Sequence, residues 1–143
     1  MNTDDELWVG VVRLHARVEH ELAAALQRHG LGLSEYRALC HLSTSGAGEL
    51  RMQDLADLLG LNQSSVTRLV ARLEKAGLTR RDLCPDDRRG VYTVITDAGR
   101  ARKDEATGAY EGTLTAVLDR LSAEQGLGGL VAALRRAGSE STL

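Results

Sequence analysis

Residues 52–77 carry the clearest pattern in this chain of 143 residues, and they read MQDLADLLGLNQSSVTRLVARLEKAG. The pattern predicts a first short helix with apolar side chains at Leu55, Ala56, Leu58 and Leu59. Gly60 permits a tight turn, and Asn62 is a good N-cap for a second helix. That second helix is predicted to bury Val66, Leu69, Val70 and Leu73, which follow helical spacing. Two helices joined by so short a turn predict a helix-turn-helix, whose second helix is placed to enter the major groove of DNA.

A β-hairpin is predicted directly after this second helix, which Gly77 ends. Residues 78–83 and 91–95 are two short strand-like segments, and residues 84–90, CPDDRRG, have turn composition. A hairpin in this position is a wing, so the middle of the chain is predicted to be a winged helix-turn-helix.

Four further helices are predicted around this core, at about residues 7–28, 35–43, 98–121 and 123–137. Ser34 is the predicted N-cap of the second of these helices, Thr96-Asp97 of the third and Ser122 of the last. The stretch from Ser43 to Gly48 is predicted to be a loop. The expected fold is therefore mainly α with a small β-hairpin wing, in a single domain.

Charge is distributed unevenly along the chain, although the net charge is only −2. Residues 62–103 carry a net charge of +5, whereas residues 1–61 carry −4 and residues 104–143 carry −3. A basic middle between acidic ends indicates one cationic face, as phosphate contacts require. Chance clustering in short segments is the alternative explanation.

Targeting signals are not expected in this sequence. No apolar run approaches the roughly 20 residues of a membrane span. The first six residues, MNTDDE, are acidic, whereas a secretory signal begins basic and continues into an apolar stretch. We therefore expect a cytoplasmic protein without a membrane partner, in which Cys40 and Cys84 are free thiols.

The sequence resembles the MarR family of bacterial transcriptional regulators. The resemblance is carried by residues 65–78, SVTRLVARLEKAGL, by Asp87-Arg88-Arg89 in the wing, and by residues 95–100, ITDAGR. It implies a winged helix-turn-helix core over residues 33–96, flanked by dimerisation helices at residues 1–30 and 97–143. A chain this short is not expected to bury the apolar stripes of those helices within one copy, so we expect a homodimer and a pseudo-palindromic operator in double-stranded DNA.

The resemblance also implies which residues contact DNA. The predicted DNA-binding set is Gln63, Ser64, Ser65, Thr67, Arg68, Arg72, Arg88 and Arg89. Gln63 can pair with an adenine edge and Arg68 with guanine or a phosphate, while Arg89 resembles the family residue that reaches the minor groove. Asp87 is expected to hold the wing by pairing with Arg72 or Arg89. For Arg80 and Arg81, solvated charge and phosphate contact remain alternatives.

Regulators of this family respond to small phenolic or carboxylate effectors, which bind between the dimerisation helices and the winged core. The residues expected near such a cleft are Trp8, His15, Tyr36, Arg37, His41 and Tyr110, with ordinary packing as the alternative for each. Cys84 is a candidate redox sensor, against an inert thiol, and Cys40 is expected in the core. His15 and Glu19 lie one helical turn apart, but two ligands do not make a metal site, so neither a metal nor a cofactor is expected.

Two other classes of function were weighed against a ligand-responsive repressor. An enzyme is rejected because the sequence has no Gly-rich phosphate loop, nucleophile elbow or metal-binding helix pair. A winged module that binds proteins instead of DNA is disfavoured by Arg68, Arg88 and Arg89.

Overall fold

The computed structural model describes residues 1–83 and 91–141 of the chain. Its elements in chain order are α1 (Thr3–Gln27), α2 (Leu33–Thr44), β1 (Glu49–Arg51), α3 (Met52–Leu59), α4 (Gln63–Lys75), β2 (Thr79–Leu83), β3 (Val91–Ile95), α5 (Asp97–Ser122) and α6 (Gly128–Ser141). The chain forms two compact units, one of residues 26–108 and one of residues 1–25 with 109–143.

The helix-turn-helix in the first unit follows the sequence prediction. Gly60 ends α3 with a φ of 67°, and the Asn62 side chain caps α4 by accepting a hydrogen bond of 2.9 Å from the Ser65 N–H. The four apolar side chains predicted for the buried side of α4 are all buried. In α3, by contrast, Leu55 and Ala56 are buried but Leu58 is exposed.

The wing belongs to a three-stranded antiparallel sheet with the strand order β1-β3-β2. The predicted pair of strands β2 and β3 is present, and its register places Arg81 opposite Thr93. Strand β1 was not predicted. It lies between the expected loop and α3, and it places Leu50 opposite Thr93. The sheet therefore joins the segment before the helix-turn-helix to the segment after it.

The predicted N-cap of α2 is wrong. Helix α2 begins at Leu33 with Gly32 as the N-cap, so Ser34 lies inside the first turn. The Glu35 carboxylate reaches back and accepts a hydrogen bond of 3.2 Å from the Gly32 N–H. This contact satisfies a backbone donor that the first turn leaves without a helical partner, so a serine at the cap is not required.

The unit of residues 1–25 and 109–143 buries part of the apolar stripes of the flanking helices within one copy. Its buried apolar cluster consists of Leu14, Val117, Leu121, Leu127 and Val131, with Val18, Leu118 and Leu130 packed against it. Four large apolar side chains of α1 remain exposed, namely Leu7, Trp8, Val9 and Val12, and so does Leu134 of α6. These exposed side chains are available for a partner.

The boundaries of the outer helices also differ from prediction. Helix α1 begins at Thr3, four residues before Leu7, with Asp4, Asp5 and Glu6 in its first turn. Acidic side chains there are favourable because the N-terminal end of a helix carries partial positive charge. Helix α6 begins at Gly128, since Gly126 has a φ of 90° and α5 continues to Ser122. Within residues 1–83 and 91–141, no helix is both long and apolar enough to cross a membrane.

Candidate nucleic-acid interface

Helix α4 presents a polar surface opposite its buried side. Successive residues of an α-helix are about 100° apart, so burial of Val66, Leu69, Val70 and Leu73 turns Ser64, Arg68, Ala71 and Lys75 outward. All four outward residues are exposed. Gln63 and Thr67 lie on one flank of this surface, and Ser65 and Arg72 lie on the other. The exposed surface thus has short side chains and two basic residues, as a helix that lies in a DNA groove requires.

Gln63 and Arg68 are available for contacts outside the protein. Neither side chain makes a hydrogen bond or ion pair with any residue that the structure describes. Both are exposed. Binding to DNA would therefore break no hydrogen bond or ion pair of these two side chains within the described chain. This arrangement suits contacts with base edges or phosphates.

The three hydroxyl residues of the predicted set have local roles. The Ser64 hydroxyl donates to Asn62 Oδ1 at 3.0 Å, and the Thr67 hydroxyl donates to the Gln63 carbonyl at 2.8 Å. Ser65 is half-buried, and its N–H serves the N-cap. Ser64 and Thr67 still present hydroxyl oxygens as acceptors, whereas Ser65 lies closer to the core.

Arg72 lies on the flank of α4 that faces α2. Its Nε is 4.0 Å from Glu35 Oε1, the same oxygen that accepts from Gly32. Glu35 is therefore an acidic neighbour of Arg72 within the described part of the chain. The expected partner of Arg72, Asp87, lies outside the described residues.

The opposite flank of α4 contacts strand β2. Arg81 Nε donates to Glu74 Oε1 at 2.7 Å. Arg80 precedes Arg81 in the strand, and its Nη1 atom lies 4.0 Å from Asp82 Oδ2. Neighbouring residues of a strand point to opposite faces, so the two arginines lie on different sides of the sheet.

A groove of about 490 Å³ lies along this flank. Its lining residues are Arg51, Met52, Gln53, Gln63, Thr67, Arg81 and Val91. Arg51 and Gln53 were missing from the predicted site. Arg51 belongs to β1, whose pairing with β3 no local pattern indicates, and Gln53 lies two residues later in α3. The described part of the lining combines guanidinium, amide and hydroxyl groups and contains no carboxylate.

The predicted wing residues Asp87, Arg88 and Arg89, and the candidate redox residue Cys84, lie outside the described residues. Cys40 is a free thiol, and it is half-buried rather than fully in the core.

The six candidate effector residues are divided between the two units. Trp8, His15 and Tyr110 belong to one unit, and Tyr36, Arg37 and His41 belong to the other. Trp8 is 66% exposed, whereas Tyr36 is buried and its hydroxyl donates to Thr107 Oγ1 at 3.1 Å. The His15 imidazole Nε2 lies 2.9 Å from Glu19 Oε1, and among residues 1–83 and 91–141 no third His, Cys, Asp or Glu joins them in a metal-binding group.

Comparison with known proteins identifies relatives of this architecture. The model of the MarR family matches residues 31–91. Among curated proteins, the chain is 32% identical over 87 residues to the uncharacterized HTH-type transcriptional regulator YkoM of Bacillus subtilis, a match that covers 61% of this chain and 54% of YkoM. The chain spans about half the length of the curated relatives it matches.

Solved structures match over nearly the whole chain. AbsC, a MarR family transcriptional regulator from Streptomyces coelicolor, has 27% identity and a TM-score of 0.79, with 99% of this chain and 96% of AbsC covered. Sco3205, a MarR family regulator from the same organism that was solved in complex with DNA, has 29% identity and a TM-score of 0.79, with 99% and 89% covered.

Proposed function

We propose that this chain, whose residues 31–91 match the model of the MarR family, belongs to that family of winged helix-turn-helix transcriptional regulators, binds double-stranded DNA in a sequence-specific manner and regulates transcription as a homodimer. Residues 33–96 are the DNA-binding core, and residues 1–30 and 97–143 are the dimerisation helices. The observation that carries the proposal is the exposed polar surface of α4, in which the side chains of Gln63 and Arg68 have no hydrogen-bond or ion-pair partner among the described residues. The similarity to Sco3205, solved with DNA, supports it.

In this function α4 is the recognition helix. Gln63 reads a base edge, and Arg68 contacts guanine or a backbone phosphate, while Ser64 and Thr67 allow the helix to approach the bases closely. Ser65 and Arg72 lie at the edge of this surface, so any contacts they make are with the backbone. Arg89 extends the contact from the wing into the minor groove, and Arg88 contacts a phosphate.

Dimerisation is supported by the apolar side chains that the unit of residues 1–25 and 109–143 leaves exposed. Trp8 and Val12 are one turn apart on α1 and are 66% and 53% exposed. A second copy that covers them removes this apolar surface from water. Two-fold symmetry then presents two copies of α4 to a pseudo-palindromic site.

The proposed function also includes a small-molecule effector. A small phenolic or carboxylate molecule that binds DNA-free protein more tightly than DNA-bound protein lowers the affinity for DNA, which makes the protein a ligand-responsive repressor. Trp8, His15, Tyr36, Arg37, His41 and Tyr110 are the candidate contacts. With chromosomal DNA as the partner, we infer a cytoplasmic location.

The test is selection from a pool of random duplexes, followed by fluorescence anisotropy titration of the enriched sequence at two salt concentrations. We expect a palindrome that binds one dimer, and Arg68→Ala should weaken binding at least tenfold if a guanine contact is lost. Arg28→Ala is the matched control, because Arg28 is also exposed but lies just beyond α1. Absence of enrichment, or equal binding by the Arg68 and Arg28 variants, would contradict the proposal.

A further inference from the structure

The groove beside α4 has the composition of a phosphate-binding site. Arg51 and Arg81 contribute guanidinium groups, Gln53 and Gln63 contribute amides, and Thr67 contributes a hydroxyl. Guanidinium groups match the geometry of phosphate oxygens, and among the described residues no carboxylate lines the groove to repel an anion. Because Gln63 and Thr67 also belong to the recognition helix, a phosphate in this groove lies next to bases that the helix reads.

The sheet register separates Arg81 from Arg80. Arg81 lies opposite Thr93, whose hydroxyl donates to Met52 Sδ at the start of α3, so this face of the sheet contacts the helix-turn-helix. Arg80 lies opposite Val94 on the other face and does not line the groove. The two arginines have the same charge and adjacent positions but different surroundings.

Glu74 restrains the guanidinium of Arg81 against α4. The Glu74 side chain is largely shielded from solvent, with 25% of its surface exposed, and it accepts the Nε–H of Arg81. The structure gives Arg81 no other hydrogen bond within the described residues, so its four terminal N–H donors remain for an anion. A side chain held in this way loses less conformational entropy when it binds.

We propose that Arg81 binds a phosphodiester of the DNA backbone in this groove, and that Glu74 is the residue that positions it. This inference rests on the DNA-binding function proposed above and adds a specific contact to it. Arg51 lies at the other side of the groove, where its Nε donates to the Tyr92 hydroxyl at 3.0 Å.

The first test compares Arg81→Gln with Arg80→Gln on the enriched duplex over a series of KCl concentrations. Loss of one phosphate contact should reduce the slope of log K against log salt by about 0.9. We expect this reduction, with roughly tenfold weaker binding, for Arg81→Gln and a smaller change in both quantities for Arg80→Gln. Equal effects of the two substitutions would mean that only net charge matters, and the inference would be wrong.

A second test locates the contact. Duplexes in which one phosphate is replaced by a neutral methylphosphonate should bind the wild-type protein more weakly wherever that phosphate is contacted, including one position in each half-site that Arg81 contacts. At that position the Arg81→Gln variant should lose no further affinity. If the neutral linkage weakens the binding of both proteins by the same factor at every position, Arg81 does not contact a phosphate.

The positioning role of Glu74 is tested with two variants that remove the same charge. Glu74→Gln retains an acceptor for the Arg81 Nε–H, whereas Glu74→Ala does not. We expect Glu74→Ala to bind about threefold more weakly than Glu74→Gln when Arg81 is present, and equally when Arg81 is replaced by Gln. Equal binding in both backgrounds would reject the positioning role.

These tests distinguish two kinds of failure. If the wild-type protein enriches no duplex, the proposed function fails and this inference fails with it. If the wild-type protein binds its duplex but Arg81→Gln leaves the salt slope unchanged, only the inference about the groove fails.

Discussion

The backbone carbonyl oxygen of Leu78 occupies the space that a Cβ atom at Gly99 would need, and Ile95 Cγ1 would lie 2.9 Å from that atom. Leu78 follows the recognition helix, and Gly99 lies in the first turn of α5. The absence of a side chain at residue 99 therefore allows the start of α5 to lie directly against the segment that leaves α4.

Gly99→Ala should destabilise the protein by about 2 kcal/mol, because backbone atoms must move to admit the methyl group. Gly108→Ala is the control, since nothing lies within 4 Å of a Cβ at that position of α5. In a helix this second substitution should stabilise by about 0.5–1 kcal/mol. Chemical denaturation measures both free energies of unfolding, and equal effects would contradict the close approach.

Two buried or half-buried threonines should respond oppositely to removal of their hydroxyl groups. The Thr79 hydroxyl is buried with no hydrogen-bond partner among the described residues. Thr79→Val should therefore stabilise the protein by about 1 kcal/mol, because an unsatisfied polar group is removed from the interior.

Thr96 is the matched control for Thr79. Its hydroxyl donates to the Gly77 carbonyl at 2.7 Å and accepts from the Gly99 N–H at 3.0 Å, as an N-cap of α5 does. Thr96→Val should destabilise by about 1–2 kcal/mol. Denaturation curves in which both valine variants shift in the same direction would disagree with these assignments.

Replacement of Val12 by glutamate should shift the protein from dimer to monomer, because a charge would be buried without a partner at the interface proposed for α1. Sedimentation velocity measures the proportions of dimer and monomer. Leu58→Glu is the control, since Leu58 is also 53% exposed but belongs to α3. A Val12→Glu protein that remains dimeric at micromolar concentration would place the interface elsewhere.

Gln63→Ala should relax the preference for one base pair in each half-site by about 1–3 kcal/mol while it leaves the salt dependence of binding unchanged. The reason is that an amide reads a base edge but neutralises no phosphate. Repeated selection with the variant measures the preference, with Gln27→Ala as a control at an exposed position of α1. An equal loss of affinity for all DNA sequences would mean that Gln63 contacts the DNA backbone instead of a base.

The sequence predicted the helix-turn-helix because its determinants are local. The Asn62 cap and the spacing of Val66, Leu69, Val70 and Leu73 lie within a few residues of one another, and the structure confirms each of them. The polar surface of α4 follows directly from that spacing. The candidate recognition residues therefore follow from the sequence alone.

The features that sequence analysis missed depend on contacts between distant residues. Strand β1 has only three residues, and nothing near Leu50 indicates that Thr93 will be its partner. Ser34 is a better isolated cap than Gly32, yet the side chain of Glu35 satisfies the backbone and moves the start of α2. An amphipathic pattern also does not indicate whether a second copy or the same chain covers Leu14 and Val117.

The pairing of β1 with β3 also has a consequence for biosynthesis. Leu50 and Thr93 are separated by about forty residues, and the helix-turn-helix lies within the loop that their pairing closes. A nascent chain therefore cannot complete the sheet until β3 has emerged from the ribosome, well after α4 has done so. During synthesis helix α4 therefore emerges before the sheet beside it can form, so the proposed DNA-binding core is complete only when nearly all of its residues have been made.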